Sequence, residues 1–454
     1  MSRRRLCALA GLALVALVVV YAPDMGRGFV RDDFAWIAGS RVDGPAQLVD
    51  LFQRDNGFYR PLVGLSFALD QWLHGLRPFG YAATNLLLVV LGAAAVGWLA
   101  RALGLGPEAS LAAACVWAFN PHGIGGAVMW ISGRTVLLLT LLAVLAALAF
   151  VRGRLAAAAL LVFLALLSKE EATLLPLVLA LWVALGLRPE ERGGWRRGLV
   201  ALAAFAPGLA SYLLLRAGTG AYWPHRVPDF YQPTFDPATL LRNLLEYADR
   251  ALTFPAAVVL LAALVAGAWP RLDSGTRRVG ALGLAWLVGG YGLTLFLPVR
   301  SSLYAVLPSV GGALAAAALL SALVSASDGR ARRRLAFAAL VALPALVPLL
   351  HSRNVRLRHT AELSARTLAA VSVTTPELAA GTPLVLRDSG ARVNLRSAFG
   401  TLAETAVRLH TGVAGAHVWI EPPPPDWRAA GLRPPRAGLR IEIELCDGQP
   451  VRVR

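Results

Sequence analysis

Two adjacent aspartates, Asp32 and Asp33, lie in the segment FVRDDFAWI just beyond a first apolar run. Adjacent carboxylates repel each other, so one of them can have a raised pKa, or both can share a cation or a basic partner. Both arrangements suit acid and base chemistry. The alternative is a solvated acidic turn, since Asp is mostly an exposed residue.

Three cations in separate polar motifs could bind a phosphate. Arg134 ends the motif NPHGIGGAVMWISGR, Lys169 lies in LSKEEAT and Arg300 lies in LPVRSSLYAVLPS. The planar guanidinium of Arg can hold two phosphate oxygens, whereas Lys169, the only lysine of the chain, offers a compact point charge. Ionisable groups next to long apolar runs are costly, so they tend to mark a cavity or a functional site.

The motif around His122 carries three glycines, Gly123, Gly125 and Gly126, which allow a close backbone approach or a tight re-entry into the membrane. A loop with a snorkelling arginine is an equally good interpretation of this motif alone. The chain has no paired His or Cys spacing of the kind that predicts a catalytic metal.

Each of the other two motifs also has a structural interpretation. Lys169 could form a helix-capping salt bridge with Glu170 and Glu171. Arg300 and the hydroxyls after it could form a donor-rich rim for an anionic headgroup, or an ordinary interfacial turn anchored by Tyr304.

The composition predicts a membrane protein. Of the 454 residues, 57% are hydrophobic and 16% are charged, and the mean hydropathy is +0.58. A chain of this length can supply about eleven spans of roughly 20 residues each, with a soluble part left over. The formal net charge of +17 does not indicate nucleic-acid binding, because the basic residues are scattered through short turns without interleaved aromatics.

The first predicted span, from about Leu6 to Tyr21, follows three arginines, which predict a cytoplasmic N-terminus. A long first external loop, residues 24–81, should contain short amphipathic pieces that lie along the membrane interface. Ten further spans are predicted near residues 82–100, 109–120, 131–151, 155–167, 172–187, 198–216, 250–269, 279–297, 303–324 and 335–350.

These spans separate two kinds of connection. The predicted cytoplasmic turns all carry arginine, as the positive-inside rule requires: residues 101–108, 152–154, 188–197, 271–278 and 330–334. The predicted external connections contain the polar motifs described above and a loop at residues 217–249. We therefore expect all candidate side chains to gather at one face of the membrane.

The apolar runs end near His351, and the remaining residues alternate between strand and helix patterns. Strands are predicted at 382–386, 416–420 and 439–445, and a helix is predicted at 394–410. The predicted fold is thus an all-α polytopic membrane domain at residues 1–350 followed by a small α/β domain at residues 351–454 outside the membrane.

The ordered motifs resemble those of multispanning type C glycosyltransferases. FVRDDFAWI, YRPLVGLSFALD, TNLLL, NPHGIGGAVMWISGR, LLSKEEA and RSSLYAVLPS occur in the order seen in that family. The nearest branch is the O-mannosyltransferase-like one, which includes transmembrane proteins with tetratricopeptide repeats. The resemblance covers about residues 10–320, and the repeats themselves are absent.

The resemblance implies transfer of a sugar from a polyprenyl-phosphate donor to an acceptor on the outer side of the membrane. The family's catalytic carboxylate in the first external loop corresponds to Asp32 or Asp33, which would act as general base. Arg134, Lys169 and Arg300 would bind the donor phosphate.

The remaining candidate residues, Arg60, His122, Glu170 and Tyr304, would shape the pocket. No cofactor is assigned, although a divalent cation is possible, and the acceptor can be a protein, a glycolipid or a polysaccharide. The expected location is the inner (plasma) membrane, with the C-terminal domain on the extracytoplasmic side.

Two other classes of function stay open from the residues alone. A polytopic lipid or sugar transporter would place ionisable groups at mid-membrane and often shows inverted halves, whereas here the charges cluster near one edge and the halves do not match. A noncatalytic scaffold would need one anchoring span, not eleven.

Overall fold

The computed structural model describes most of the chain, and the structural statements below concern these residues: 3–53, 57–187, 194–221, 231–374, 383–387, 393–413, 415, 417–423, 441–446 and 449–452. Most of the predicted cytoplasmic turn at 188–197 and part of the predicted loop at 217–249 lie outside them.

Helices make up most of the described residues before residue 375. They are α1 (Arg3–Tyr21), α2 (Asp32–Gly39), α3 (Pro45–Asp50), α4 (Pro61–His74), α5 (Pro78–Ala102), α6 (Pro107–Ala118), α7 (Ile124–Met129), α8 (Arg134–Val151), α9 (Leu155–Leu166), α10 (Leu175–Ala184), α11 (Gly194–Ala217), α12 (Pro237–Ala248), α13 (Phe254–Ala266), α14 (Ser274–Tyr291), α15 (Ser309–Ala326) and α16 (Gly329–Thr374). Short 3₁₀ turns at 131–133, 170–174 and 302–305 connect several of them.

Seven helical stretches of the described chain are long and apolar enough to cross a membrane, and they confirm the predicted polytopic all-α fold. They are Arg3–Asp24, Pro78–Ala102, Ile131–Val151, Gly198–Ala217, Pro237–Ala266, Ser309–Ala326 and Gly329–Val373. The predicted spans at 109–120 and 155–167 correspond to α6 and α9, which have only 12 residues each, where a crossing needs about 20. The total of eleven spans stays a prediction.

The predicted external loop at 217–249 contains helix α12. A π-helical turn, Asp249–Thr253, joins α12 to α13, so the helical chain runs without a break from Pro237 to Ala266. The predicted span that begins at residue 250 therefore lies within a longer helical stretch, because the polar residues of α12 concealed its helical pattern.

Close packing of small residues and buried tryptophans holds the bundle together. A side chain added at Gly283 of α14 would come within 2.6 Å of the Gly311 carbonyl of α15, so the two backbones are in contact. The indole nitrogen of Trp117 donates to the Val306 carbonyl, and that of Trp286 donates to the Leu307 carbonyl. Both carbonyls precede α15, where the chain has just left a 3₁₀ turn, so the indoles satisfy backbone groups in the apolar interior.

Helix α16 has 46 residues and contains the predicted domain boundary at residue 350. Its first half packs against α1 and α13, and its second half packs against the elements that follow it. The membrane part and the C-terminal part are thus connected by continuous helix.

The C-terminal part is a four-stranded sheet with two helices, α17 (Leu395–Phe399) and α18 (Ala403–Thr411). The strands are β1 (Pro383–Arg387), β2 (His417–Glu421), β3 (Ile441–Cys446) and β4 (Gln449–Arg452), in the order β2-β1-β3-β4. Strand β1 pairs in parallel with β2 and β3, whereas β3 and β4 are antiparallel.

The prediction of one helix at 394–410 is wrong, because the helix is interrupted at Gly400, whose φ is +56°. Glycine adopts this left-handed conformation without a steric penalty, and it ends α17. The α/β character of this part agrees with the prediction, and β4 is an additional strand. The predicted first residues of the three strands, Thr382, Ala416 and Leu439, lie outside the described residues.

Candidate active site

The polar motifs converge at one end of the helical bundle through backbone contacts. The amide of Leu62, at the start of α4, donates to the carbonyl of Leu167 just before the LSKEE motif. Gly123 has a φ of +95°, and an added Cβ there would lie 2.8 Å from the Ser302 carbonyl. At the opposite end, Arg278 contacts the Leu103 carbonyl, so two of the arginine-rich turns also meet.

Asp33 is completely buried and serves as a structural link. One carboxylate oxygen accepts hydrogen bonds from the Ser132 amide at 2.7 Å and the Ser132 hydroxyl at 2.5 Å, and the other accepts from the Val30 amide at 2.9 Å. Burial raises the pKa of Asp33 to about 7, although these hydrogen bonds oppose the shift. Asp33 therefore ties the loop at residues 24–81 to the turn before α8, and both of its carboxylate oxygens accept hydrogen bonds from the protein.

Asp32 is the opposite case, an exposed carboxylate at the first position of α2. It accepts no hydrogen bond from any residue that the structure describes. Desolvation by the surrounding protein raises its pKa, while Arg31 and Arg60 lower it by a smaller amount. The carboxylate is thus available to a ligand and lies within the field of a neighbouring guanidinium.

Arg60 and Glu170 form a two-point ion pair beside Asp32. Arg60 Nη2 lies 2.5 Å from Glu170 Oε1, and Arg60 Nε lies 3.0 Å from Oε2. Burial alone would raise the pKa of Glu170, but Arg60 and Lys169 hold it well below its usual value. Glu170 therefore stays ionised and fixes Arg60, which precedes α4, against the turn that follows α9.

Lys169 is buried between an acid and an aromatic ring. Its ammonium lies 2.5 Å from Glu171 Oε1 and 5.1 Å from the centre of the Tyr304 ring. The other carboxylate oxygen of Glu171 is buried and has no hydrogen-bond partner among the described residues. The structure thus brings the LSKEE and RSSLY motifs into contact, as the predicted layout requires.

Arg300 belongs to a second basic cluster, which also contains two residues that the sequence analysis missed. Arg300 and Arg250 both pair with Glu246, at 3.2 Å and 2.9 Å, and Arg250 also donates to the Ser301 carbonyl at 3.0 Å. Glu246 and Arg250 are four residues apart at the junction of α12 and α13. The sequence did offer a signal for this pair, because an acidic and a basic residue at this spacing next to an apolar run favour an ion pair at a functional site.

His122 is half-buried in the turn between α6 and α7, next to this second cluster. Its amide donates to the Asn120 side chain, and the Asn120 amide group donates to the Arg250 carbonyl. Burial, Arg353 and Arg250 lower the pKa of the imidazole, with Asp249 opposing them. His122 is therefore uncharged near neutral pH and is placed to accept or donate a hydrogen bond, not to neutralise a phosphate.

Arg134 lies in a buried network and has no exposed surface. It pairs with Asp70 at 2.5 Å and donates to the Asn85 side chain at 2.9 Å. Its remaining N–H groups donate to Ser66 and to the Tyr81 carbonyl. Four hydrogen bonds and one ion pair thus hold Arg134 among buried residues, and its predicted contact with the donor phosphate stays a prediction.

Potential metal ligands do not cluster in the described ranges, where no group of three His, Cys, Asp or Glu side chains comes together. The charged groups that do come together are carboxylates beside guanidinium or ammonium groups. This arrangement can accept a proton at Asp32 and hold an anion near Lys169 and Arg300.

Comparison with solved structures identifies the architecture. ArnT from Cupriavidus metallidurans, in its crystal structure bound to undecaprenyl phosphate, matches 96% of this chain and 92% of its own, with a TM-score of 0.55 and 14% identity. The Archaeoglobus fulgidus oligosaccharyltransferase in the apo form matches 93% of this chain and 65% of its own, with a TM-score of 0.51 and 12% identity. The chain has the type C glycosyltransferase fold. The two solved examples of this fold have very different sequences from the present one, so the likeness concerns the architecture.

Comparison with curated sequences found one relative, and no family model matches the chain. The chain is 32% identical over 133 residues to the protein O-mannosyl-transferase Tmtc1 of Drosophila melanogaster. The aligned segment is 27% of this chain and 15% of Tmtc1, so the chain spans a small part of that relative's length. The resemblance to O-mannosyltransferase-like proteins with the type C fold, predicted from the motifs, is confirmed.

Proposed function

We propose that the chain is a glycosyltransferase that moves a sugar from a polyprenyl-phosphate donor to an acceptor hydroxyl, with Asp32 as the general base. The observation that carries the proposal is the free carboxylate of Asp32 beside Arg60, in a chain with the type C glycosyltransferase fold. The undecaprenyl phosphate in the ArnT structure supports a polyprenyl-phosphate donor.

The reaction needs one base and a stabilised leaving group. The acceptor oxygen attacks the anomeric carbon while Asp32 takes its proton, and the bond from that carbon to the phosphate oxygen breaks. The polyprenyl phosphate leaves with the electron pair of that bond. A cationic surface must therefore face the leaving phosphate, where its charge increases in the transition state.

Lys169 and Arg300 are the cations proposed for the phosphate, and Arg250 joins them. Each of them already has a carboxylate partner, Glu171 for Lys169 and Glu246 for the two arginines. These carboxylates hold the cations in place without using all their donors. Glu170 keeps Arg60 in position, and Tyr304 covers the Lys169 ammonium.

The cell inner (plasma) membrane and its extracytoplasmic face are part of the proposal. Two of the arginine-rich turns meet where Arg278 contacts the Leu103 carbonyl, and the positive-inside rule favours the cytoplasmic side for such turns. The acceptor, whether a protein, a glycolipid or a polysaccharide, would then approach from outside the cell.

The test is transfer of radiolabelled sugar from a panel of polyprenyl-phosphate sugars by the full-length protein in lipid nanodiscs. Asp32→Asn should abolish transfer and leave the thermal midpoint unchanged, because Asp32 accepts no hydrogen bond from the described residues. Asp43→Asn is the matched control, since Asp43 lies in the same loop and forms an exposed ion pair with Arg41. Undiminished transfer by Asp32→Asn would refute the assignment of the base, and movement of donor across vesicles without transfer would favour a transporter.

A further inference from the structure

Arg31, the residue immediately before Asp32, has an unusual backbone conformation. Its φ is +49° and its ψ is −123°, and it is the one non-glycine residue with positive φ in the described part of the chain. A residue with a Cβ rarely adopts this conformation, and it persists only where the surroundings hold it in place. Something outside α2 must therefore fix the residue that orients Asp32.

The restraint comes from α17 of the C-terminal part. The Arg31 amide donates to the Ala398 carbonyl at 2.7 Å, and Arg31 Nε donates to the Ser397 carbonyl at 2.9 Å. Both acceptors lie in the last turn of α17, where carbonyls lack partners within the helix and carry the negative end of its dipole. The amide and the guanidinium of Arg31 donate hydrogen bonds to these carbonyls, and the guanidinium places a positive charge at the negative end of the dipole.

The same contact has an apolar part. The rings of Phe34 in α2 and Phe399 in α17 stack with their centres 5.8 Å apart, and both are almost completely buried. Ile37, Leu395 and Phe399 belong to one hydrophobic cluster that runs from the first external loop into the C-terminal part. Docking of α17 on α2 is therefore a packed interface in addition to two hydrogen bonds.

We propose that the C-terminal part is a working component of the active site, and that Arg31 is a positioning residue through which α17 sets the orientation of Asp32. Release of α17 would let residue 31 relax to negative φ. The first turn of α2 would then rotate and move the Asp32 carboxylate away from its place beside Arg60. The inference rests on the proposed role of Asp32 and assigns a function to residues that lie outside the membrane bundle.

The kinetic test compares Arg31→Ala, Arg31→Lys and the control Arg41→Ala in full-length protein in nanodiscs. Arg41 is an exposed arginine of the same loop that forms an ion pair with Asp43. Arg31→Ala should lower kcat by roughly 10- to 100-fold, because small displacements of a reacting group have effects of this size. The KM for the donor should change less than twofold, and Arg31→Lys, which can still donate to Ser397, should recover part of kcat.

A second measurement does not depend on activity. Hydrogen–deuterium exchange should become faster in the peptide that covers residues 30–39 of Arg31→Ala, while the peptide that covers α15 should stay unchanged. Wild-type kcat in Arg31→Ala, or unchanged exchange at residues 30–39, would overturn the proposal. If the wild type transfers no sugar at all, the proposed function fails, and the exchange experiment still decides whether α17 restrains α2.

Discussion

Arg60 and Glu170 join two distant parts of the chain, the loop at residues 24–81 and the turn between α9 and α10, through two parallel contacts of 2.5 and 3.0 Å. Their side chains are 11% and 30% exposed, so the pair is largely shielded from solvent. Since the charge of Arg60 also lowers the pKa of Asp32, this ion pair lies within electrostatic range of the proposed base.

Arg60→Gln should therefore reduce both stability and activity. Loss of a charged hydrogen-bond pair of this kind lowers the free energy of unfolding by about 1.5–3 kcal/mol. The thermal midpoint in detergent measures the first effect, and kcat measures the second. Arg41→Gln removes an exposed pair in the same loop and should change neither. A stable and fully active Arg60→Gln variant would contradict the role given to this pair.

The pH profile of kcat/KM should have an acidic limb that lies above the ordinary aspartate pKa of about 3.9. Desolvation by the surrounding protein raises the pKa of the exposed Asp32 carboxylate more than Arg31 and Arg60 lower it. The base must be ionised, so activity is lost as the pH falls through this raised value and recovers as the pH increases. Profiles of wild type and Asp43→Asn between pH 4 and 8 should coincide. An acidic limb at or below pH 3.9 would contradict a raised pKa for Asp32.

Asp33→Asn should destabilise the protein. All three bonds to Asp33 come from donors, the Ser132 amide, the Ser132 hydroxyl and the Val30 amide. An asparagine would turn its own NH₂ group toward one of them and leave a buried donor unsatisfied, at a cost of about 1–3 kcal/mol. The thermal midpoint should fall in Asp33→Asn and stay constant in Asp32→Asn. Equal thermal midpoints for the two variants would contradict the assignment of a structural role to Asp33 and of a ligand-accessible carboxylate to Asp32.

Arg134→Gln should act on folding and not on the affinity for the donor. Removal of one partner from a buried ion pair costs about 3–5 kcal/mol, because the remaining charge of Asp70 is left uncompensated. The double variant Arg134→Met with Asp70→Leu should recover part of this loss. The measurements are the thermal midpoint and the KM for the donor in the folded fraction. A normal midpoint with a raised KM would restore Arg134 to the donor site.

Lys169→Met should raise the KM for the donor, because the ammonium is proposed to hold the phosphate. A charge-assisted hydrogen bond of about 1.5–3 kcal/mol corresponds to roughly a 10- to 150-fold change. Lys169→Arg should restore little, since the buried space between Glu171 and Tyr304 fits a compact ammonium. An unchanged KM in Lys169→Met would remove Lys169 from the donor site.

The sequence predicted the membrane fold and the grouping of the motifs, because the spacing of apolar runs and arginine-rich turns determines which connections share a face. It could not distinguish Asp32 from Asp33. The difference depends on the Ser132 donors, which lie 99 residues away and approach Asp33 only in the folded chain.

Arg134 illustrates a second limit. An arginine at the start of an apolar span has the same local pattern whether it binds a ligand or a buried acid, and its partner Asp70 lies on α4 inside the first external loop. Glu246 and Arg250 were missed for a related reason, since the polar residues of α12 made this helix resemble a loop.

Helix α4 begins directly after Arg60 and exposes Leu69, Trp72 and Leu73 on one face, with Trp72 80% exposed. An exposed apolar stripe on a short helix outside the spans favours contact with lipid at the headgroup level. The proposed reaction would then occur at the depth where a polyprenyl phosphate already resides, and the donor could arrive by sideways diffusion. The enzyme would then be saturated according to the surface density of the donor in the leaflet. Transfer rates measured in vesicles should therefore scale with the mole fraction of the donor in the lipid and not with its bulk concentration.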